Sequence, residues 1–399
     1  MRLAVVESAA HGGLLHYAVQ LADALAQRGH AVDLITARDN ELMGRMDAAR
    51  MRAVLMAPAP RPSEPPAGVR YLARRGAIAV RLARASARSL WELRRGRYDA
   101  AVFVDDLDIA ATAAFALMLA LLPGGPALAR VCHEPRPRNR WAGGDLYASS
   151  RVLRALLRAL YPRLDLVLVH GERSRDEFAR TWPPARVAAI PHGDERILAA
   201  APPPPADEER ILFFGDWRRA KGLYQLMAAF ERLQARRPAA RLTIAGTPTP
   251  DVDADHVRRW AAARPEQVEV IDGYVPLDEV GDLFARARVV ATPYLAGSQS
   301  GVLHLAMTMQ RAVVTSDIGE LGRTVRDGET GRVVPAGDEQ ALADALGGLL
   351  ADPGLCARLG AEARRRLLAE SGWDRVAEQV EAQLEALSAL RMGRGGRGP

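Results

Sequence analysis

Cysteine is scarce in this 399-residue chain, which has only Cys132 and Cys356, far apart and outside any metal-binding spacing. Two such residues exclude a disulfide framework and favour a reducing compartment, so we predict a cytoplasmic location. Long apolar runs are also missing: the longest, 109–122, is shorter than the roughly 18 to 20 residues that span a bilayer, and is predicted to be a buried helix. The first residues lack the apolar stretch of a signal peptide, so no export signal is expected.

Lysine is nearly absent. Lys221 is the single lysine among 54 basic residues, and all the others are arginine. It follows a buried-strand pattern at 211–214 and a short loop that carries Arg218, and it opens a segment with helical spacing. A compact ammonium group suits phosphate oxygens at a helix start, whereas the alternative is a chance lysine in a polar loop.

Acidic residues are rare between Arg70 and Arg97, where nine arginines accompany Glu92 as the one acid. With the interspersed apolar residues, this pattern predicts a basic amphipathic helix that contacts the anionic inner face of the membrane. The alternative is a solvated helix. The net charge of +6 would permit nucleic acid, but no aromatic-interleaved basic platform accompanies it, so nucleic acid is not expected as a partner.

Strand and helix patterns alternate along both halves of the chain, which predicts parallel α/β sheets. Because one core rarely exceeds about 250 to 300 residues, the length predicts two domains. The proline-rich segment 200–207 is the predicted linker. We expect an amino-terminal domain over 1–200, a carboxyl-terminal domain over 201–372, a helix over 373–390 and a disordered Gly- and Arg-rich tail over 391–399.

Polar residues follow several predicted strands. His133 and Glu134 come after the strand 128–132, and His192 comes shortly after the strand 187–190. Carboxyl ends of parallel strands face the ligand crevice of open sheets, so these three are candidates for one cleft; the alternative is that each is a hydrogen-bonded loop residue. Gly12 and Gly13 at the first helix start would free backbone amides for a ligand, or simply form a tight turn.

A second small-residue loop precedes a helical pattern in the carboxyl half. It contains Ser298, Gln299, Ser300 and Gly301. Amides at a helix start favour an anion, although a serine cap without a ligand would have the same sequence. Together with Arg218 and Lys221, this loop favours a diphosphate site.

These motifs together resemble glycosyltransferase family four. The resemblance rests on the glycine pair 12–13, on His170 with Ser174 and Glu177, and on segments 190–193, 214–222, 273–276, 298–303, 312–319 and 327–335, and it covers nearly the whole chain. It implies the GT-B fold, in which two Rossmann-like doubly wound domains face a central cleft and the helix from Trp373 returns to the first domain. It also implies retaining transfer of a sugar from a nucleotide-sugar donor to a hydroxyl acceptor, with no metal ion and no other cofactor.

The resemblance also assigns residues. Arg218 and Lys221 would contact the diphosphate, and His133 would lie near the acceptor and the reacting sugar carbon. The other implied donor contacts are Tyr274 and Val275 near the base, Ser298 and Gln299 in the loop, and the amides of Ser300, Gly301, Val302 and Leu303 at the phosphates. The implied acceptor side holds Gly12, Gly13, Glu134 and His192.

Two departures from the family pattern stand out. Many members carry two glutamates eight positions apart, where this chain has Gly297 and Leu305. Either the serine and glutamine residues of the loop replace them in an active enzyme, or the chain is a non-catalytic nucleotide-sugar binder or scaffold. Asp216 stands where many members have arginine, and Arg218 would then take that role.

Overall fold

The computed structural model describes residues 1–55, 68–104, 109–121, 124–136, 151–182, 186–198 and 208–395. Their contacts divide into two units. The first contains the described residues up to His192 together with those from Trp373 onward, and the second runs from Gly193 to Gly372. The proline-rich segment 200–207, predicted as the linker, lies outside the described residues.

The first unit is built on a parallel sheet of seven strands in the order β3-β2-β1-β4-β5-β6-β7. Its strands are β1 (Arg2–Val6), β2 (Ala31–Ala37), β3 (Arg50–Leu55), β4 (Ala100–Val104), β5 (Ala127–Cys132), β6 (Leu166–His170) and β7 (Val187–Ile190). Its helices are α1 (Gly13–Gln27), α2 (Gly68–Gly96), α3 (Ile109–Ala120), α4 (Arg151–Leu160), α5 (Glu172–Thr181) and, from the end of the chain, α13 (Trp373–Gly395).

Strands β4, β5 and β6 bury every residue, which is typical of a parallel sheet covered on both faces. Their registers bring the carboxyl ends of β5, β6 and β7 level, with Cys132 opposite Val169 and His170 opposite Ile190. Residues that follow these three strands are therefore gathered at one edge of the sheet.

The second unit contains a parallel sheet of six strands in the order β10-β9-β8-β11-β12-β13. Its strands are β8 (Arg210–Phe214), β9 (Arg241–Gly246), β10 (Val268–Asp272), β11 (Val289–Thr292), β12 (Ala312–Ser316) and β13 (Arg332–Val334). Its helices are α6 (Leu223–Gln234), α7 (Ala254–Ala262), α8 (Leu277–Arg286), α9 (Gly301–Thr308), α10 (Leu321–Thr324), α11 (Glu339–Ala351) and α12 (Pro353–Ser371).

The strand order of the second sheet reverses between β8 and β11, which pair directly. Such a reversal is where open α/β sheets bind ligands, at the carboxyl ends of the strands. The two loops predicted to hold a diphosphate follow these two strands, so the topology places them side by side.

Both sheets contain an edge strand that the sequence patterns do not predict. Strand β3 is only partly buried and includes Arg50 and Arg52, and β13 has just three residues. Edge strands need neither a continuous apolar run nor a regular alternation, so pattern reading misses them. The predicted buried helix at 109–122 is present as α3, but its Leu117 side chain is 63% exposed, so that helix is not fully buried.

The last helix extends further than predicted. Helix α13 continues to Gly395, so the prediction of a disordered tail is wrong for residues 391–395, whereas 396–399 lie outside the described residues. The guanidinium group of Arg391 donates a hydrogen bond to the carbonyl oxygen of Gly125 at 3.1 Å, and Leu387 is buried, which holds this end of the helix on its own unit. Among the described helices, none has both the length and the apolar character needed to cross a bilayer.

Candidate functional site

The loop after β8 is fixed by a buried tryptophan and a glycine. Trp217 is fully buried, and its amide donates to the carbonyl oxygen of Thr247 at 2.8 Å. Gly222 has a φ of 69°, and a Cβ atom there would lie 1.9 Å from the carbonyl oxygen of Pro293. Only glycine accommodates this close approach. Lys221, the residue before it, is therefore held at a defined place.

Lys221 lies against an aromatic ring and a helix start. Its Nζ atom is 5.3 Å from the ring centroid of Tyr294, within the range of a cation–π contact. A Cβ atom on Gly215 would lie 3.1 Å from Nζ and 3.5 Å from Cγ2 of Val302, the second residue of α9. Nζ of Lys221 and the side chain of Val302, near the start of α9, therefore border the same point next to Gly215.

Arg218 is only partly available. Its Nη2 atom donates to Oδ2 of Asp216 at 2.8 Å, and the Arg218 side chain is 26% exposed. Its Nε atom is buried and finds no hydrogen-bond partner in the described part of the chain. A buried N–H without an acceptor is costly, so an anionic oxygen at this point would be stabilising.

Helix α9 begins with a serine cap. Ser300 Oγ accepts a hydrogen bond from the amide of Leu303 at 3.2 Å and donates one to the Tyr294 hydroxyl at 3.1 Å. The predicted phosphate contact of Leu303 therefore needs correction, because its amide serves the cap and its side chain is fully buried. The amides of Gly301 and Val302 belong to the first turn, where helix geometry provides no intrahelical acceptor.

The remaining residues of this loop differ in accessibility. Ser298 and Ser300 are each 5% exposed. Gln299 is half-buried, and its Oε1 atom is buried with no hydrogen-bond partner among the residues that the structure describes. Its side-chain amide oxygen could therefore accept a hydrogen bond from a ligand hydroxyl.

Tyr274 and Val275, predicted to lie near the base, follow β10. The Tyr274 ring is 51% exposed and accessible to a ligand. Val275 is 6% exposed and its side chain packs in the core with Val280 and Phe284. Only its backbone could reach a nucleotide base.

In the first unit, three histidines meet at the carboxyl ends of β5, β6 and β7. Nε2 of His170 lies 3.1 Å from Nδ1 of His133, and the ring centroids of His170 and His192 are 4.7 Å apart. The rings of His133 and His192 are 6.0 Å apart, so these two predicted residues do share one place. Glu134 follows His133 and is partly exposed; its carbonyl oxygen accepts from the Cys132 thiol at 3.2 Å.

Tyr17 of α1 is the common neighbour of the three histidines. Its ring is edge-on to those of His133, His170 and His192, at centroid distances of 4.9, 5.3 and 5.7 Å. The same ring contacts Trp373, the first residue of α13, at 5.0 Å. The three histidine rings are therefore packed against Tyr17, whose own ring is supported by Trp373.

Burial keeps His133 neutral. Its pKa is lowered to about 3, first by burial and then by the positive charge that His192 and Arg130 would place nearby. Residue His133 is partly exposed, while its Nε2 atom is buried without a hydrogen-bond partner in the described structure. At neutral pH this imidazole can therefore donate or accept one hydrogen bond, but it carries no charge.

The predicted amide site at the start of α1 is partly filled by the chain itself. Oε1 of Glu41 accepts hydrogen bonds from the amide of Gly12 at 2.7 Å and contacts Nε2 of His16 at 2.7 Å. The prediction that Gly12 offers its amide to a ligand is therefore corrected. A Cβ atom on Gly13 would meet nothing within 4 Å, so open space remains at the first residue of α1.

Sequence reasoning included His170 only in the family pattern and gave it no role in the site, and it missed Tyr17 and Glu41. His170 could have been found by the rule that identified His133, since it is the last residue of β6. Tyr17 lies among the buried residues of α1 and reads as an ordinary core residue. Glu41 lies in a loop with no motif, so only the folded chain shows its contact with Gly12.

Comparison with known proteins agrees with this architecture. A family model described as Glycosyltransferase Family 4 matches residues 11–193, and one described as Glycosyl transferases group 1 matches residues 208–352. Alpha-maltose-1-phosphate synthase of Mycolicibacterium smegmatis is 30% identical over 291 residues, a match that covers 66% of this chain and 73% of that protein.

Two solved structures are similar in fold over almost the full chain. Sucrose-phosphate synthase from Thermosynechococcus elongatus has a TM-score of 0.71 at 20% identity, covering 98% of this chain and 100% of that one. Anabaena HepE, solved in complex with UDP-glucose, has a TM-score of 0.70 at 15% identity, covering 97% and 100%. At such identities the likeness shows the fold, which is the predicted GT-B fold.

Two parallel α/β units with these loops at their strand ends, and these structural neighbours, define the GT-B fold. Both family models and the maltose-1-phosphate synthase relative narrow the assignment: the chain belongs to glycosyltransferase family 4.

Proposed function

We propose that this enzyme transfers a sugar from a nucleoside-diphosphate sugar to a hydroxyl of a glycan, lipid-linked or natural-product acceptor, with retention of anomeric configuration. The observation that carries the proposal is that Lys221 Nζ and Val302, the second residue of α9, border the same point next to Gly215. A cation next to free helix amides suits a diphosphate. The similar HepE was solved with UDP-glucose, a donor of this chemistry.

The second unit would stabilise the leaving group. As the bond between sugar and diphosphate breaks, negative charge develops on the diphosphate oxygens. Lys221 and the amides of Gly301 and Val302 at the first turn of α9 are proposed to stabilise that charge together. Arg218 would add its buried Nε donor. Because the chain supplies this positive charge, the proposed reaction needs no metal ion.

The first unit would contact the acceptor through His133. His133 is a partly exposed residue, and the hydrogen bond with Nε2 of His170 fixes one of its ring nitrogens. The low pKa of His133 means that it acts as a neutral hydrogen-bonding group that orients the acceptor hydroxyl. Glu134, His192 and the open start of α1 at Gly13 are proposed to complete this side.

We further propose that the chain is an active variant despite lacking the paired glutamates. Gly297 has no side chain, and Leu305 is 2% exposed within the core, so neither can replace a carboxylate. Gln299 offers a buried amide oxygen with no partner in the described residues, which suits a sugar or ribose hydroxyl. The exposed ring of Tyr274 is proposed to stack on the nucleotide base.

The test is donor binding by calorimetry and product formation with Lys221→Ala and Lys221→Arg. Removing the ammonium group should weaken donor binding about tenfold to a hundredfold. Arginine should restore only part of the donor affinity, because its guanidinium group is bulkier than an ammonium group. The matched control is Arg236→Ala, which removes an exposed cation elsewhere in the second unit. It should change neither donor binding nor product formation.

Three outcomes would separate the alternatives. Near-wild-type turnover of Lys221→Ala would refute the diphosphate contact. Donor binding without transfer to a broad acceptor panel would identify a non-catalytic nucleotide-sugar binder. Absence of donor binding to the wild-type chain would favour a scaffold role.

Peripheral contact with the inner face of the membrane is proposed for α2. Val80 and Trp91 on this helix are 51% and 43% exposed. The guanidinium carbons of Arg88 and Arg95 lie 4.2 and 5.0 Å from the Trp91 ring. An exposed aromatic residue between two cations is suited to the interface of an anionic bilayer.

Vesicle flotation tests this contact. The double variant Arg84→Gln/Arg95→Gln spares Arg88, whose Nη2 is 2.7 Å from the buried Glu92 carboxylate, and so leaves the fold intact. It should lose binding to phosphatidylglycerol vesicles, at about 1 kcal/mol per arginine. Unchanged flotation, or equal flotation with neutral phosphatidylcholine vesicles, would remove the proposal.

A further inference from the structure

The histidine cluster of the first unit has the geometry of a cation site. His133, His170 and His192 each offer one ring nitrogen, and these three atoms all lie within 4.8 Å of one another. Two of them, Nδ1 of His133 and Nε2 of His170, are 3.1 Å apart. In a tetrahedral site with metal–nitrogen bonds of about 2.0 to 2.1 Å, neighbouring ligand nitrogens are separated by roughly 3.3 Å.

We propose that the imidazoles of His133, His170 and His192 bind one transition-metal ion, such as Zn²⁺ or Co²⁺, in competition with the acceptor-side role of His133. Small rotations of the rings would bring the third nitrogen to ligand distance. Three imidazoles favour Zn²⁺, Co²⁺, Ni²⁺ and Cu²⁺, whereas Mg²⁺ and Ca²⁺ require oxygen ligands.

The backbone preorganises these ligands. His170 is the last residue of β6, and it lies opposite Ile190 in the register with β7. His133 directly follows β5, which pairs with β6. Because the three residues are carried by adjacent strands and packed on the Tyr17 ring, little conformational entropy is lost when an ion binds.

Protonation and access also permit binding. Metal ions bind imidazole in its neutral form, so binding should weaken as the pH is lowered. Of the three residues, His133 is partly exposed, whereas His170 and His192 are buried, so an ion would enter from the His133 side. Arg130 is a nearby positive charge that acts on His133, and the metal group contains no carboxylate, so this site should bind less tightly than sites with acidic ligands.

One functional consequence rests on the proposed function. A bound ion would occupy a nitrogen of His133 and break its hydrogen bond with His170, so it would inhibit sugar transfer without weakening donor binding. The Lys221 region would keep its affinity because donor contacts in the second unit are untouched. Inhibition should be reversed by a chelator.

The test is titration of the untagged full chain with Co²⁺, followed by the visible absorption of the ion and by calorimetry. One ion per chain is expected, with the absorption bands of a tetrahedral Co²⁺ complex. His133→Asn, His170→Asn and His192→Asn should each weaken binding by about tenfold or more. His256→Asn, which removes an exposed histidine of the second unit, is the matched control and should bind as the wild type does.

The outcomes decide the proposal in either direction. Absence of saturable binding would show that the cluster is only a hydrogen-bonded group, and binding that survives all three cluster substitutions would place the ion elsewhere. If circular dichroism shows that His170→Asn is unfolded, the Co²⁺ affinity of His133→Asn decides the question, because His133 is the most exposed of the three residues. The absorption readout does not depend on turnover, so a failure of the proposed transfer reaction would leave this result interpretable.

Discussion

A Cβ atom built on Gly222 would lie 1.9 Å from the carbonyl oxygen of Pro293. This contact joins the loop after β8 to the loop after β11. The amides of Leu295 and Ala296 strengthen the junction by donating to the carbonyl oxygen of Ala220 at 2.8 and 3.2 Å. The two loops proposed to hold the diphosphate are therefore locked to each other before a ligand binds.

Gly222→Ala should destabilise the protein and weaken donor binding together. The added methyl group meets backbone rather than a flexible side chain, and alanine at a φ of 69° adds roughly 1 to 2 kcal/mol of strain. We expect the free energy of unfolding to fall by about 2 kcal/mol or more. Chemical denaturation and calorimetry with UDP-glucose measure the two effects.

Gly348→Ala is the control for this substitution. Gly348 is an exposed residue inside α11, and a Cβ atom there would meet nothing within 4 Å. Alanine should raise the stability by roughly 0.5 to 1 kcal/mol, because glycine is unfavourable within a helix. A Gly222→Ala protein as stable as the wild type would show that the two loops are not locked as described.

Asp216→Asn should tighten donor binding. The carboxylate of Asp216 accepts from Arg218 at 2.8 Å and competes with a diphosphate for that guanidinium group. Asp216 is 44% exposed and the pair is screened by water, so the gain should be modest, about two- to fivefold in Kd. Calorimetry at low and high salt measures it, and the gain should shrink as salt is added.

The exposed pair of Asp344 and Arg236 provides the control, since both side chains are 52% exposed. Asp344→Asn removes the same charge from the same unit and should leave the donor Kd unchanged. Weaker binding by Asp216→Asn would mean that Asp216 orients Arg218 for the ligand rather than competing with it.

From the sequence alone, the loops after β8 and β11 were easier to single out than the histidine cluster of the first unit. Lys221 was identifiable because composition made it unusual, and the small residues before α9 have a local mechanism at a helix start. Leu303 was wrongly assigned because the sequence cannot tell which amide a serine cap will use. In this structure Ser300 Oγ accepts the hydrogen bond of the Leu303 amide.

The first unit's cluster depends on register, which a single sequence does not determine. His133 and His192 were predicted from their strand ends, but their meeting with His170 requires β5, β6 and β7 to be level. Glu41 reaches the amide of Gly12 across 29 positions, and no pattern in the sequence marks that contact. Long-range side-chain contacts of this kind follow from the fold rather than from local spacing.

The two cysteines should be unreactive in the native protein. Burial raises the pKa of the Cys132 thiol, and it raises that of Cys356 to about 11. Thiolate is the reactive form, so both should resist a thiol reagent at pH 7 and titrate as two groups in denaturant. Fast labelling of one thiol without denaturant would show that its burial is incomplete.

The stability that Glu381 contributes should depend on pH. Nε of Arg28 donates to its Oε2 at 2.6 Å, and Nε2 of His30 lies 2.9 Å from Oε1, which ties α13 to the segment between α1 and β2. Burial alone would raise the pKa of this carboxyl group, but the hydrogen bond and charge of Arg28, followed by His30, outweigh it and lower the pKa. The folded pKa is thus below the unfolded value of about 4.3.

A lowered folded pKa means that the stabilisation is complete above the unfolded pKa and is lost as the pH falls through the folded one. At pH 7, Glu381→Gln should be less stable than the wild type by roughly 1 kcal/mol, a modest figure because solvent screens this ion pair, and the difference should shrink as the pH falls below the unfolded pKa. Chemical denaturation of both proteins from pH 7 to pH 3 measures this. Glu378→Gln, from the exposed pair with Arg375, should stay within about 0.5 kcal/mol throughout, and a constant Glu381→Gln deficit down to pH 3 would show that packing rather than charge is responsible.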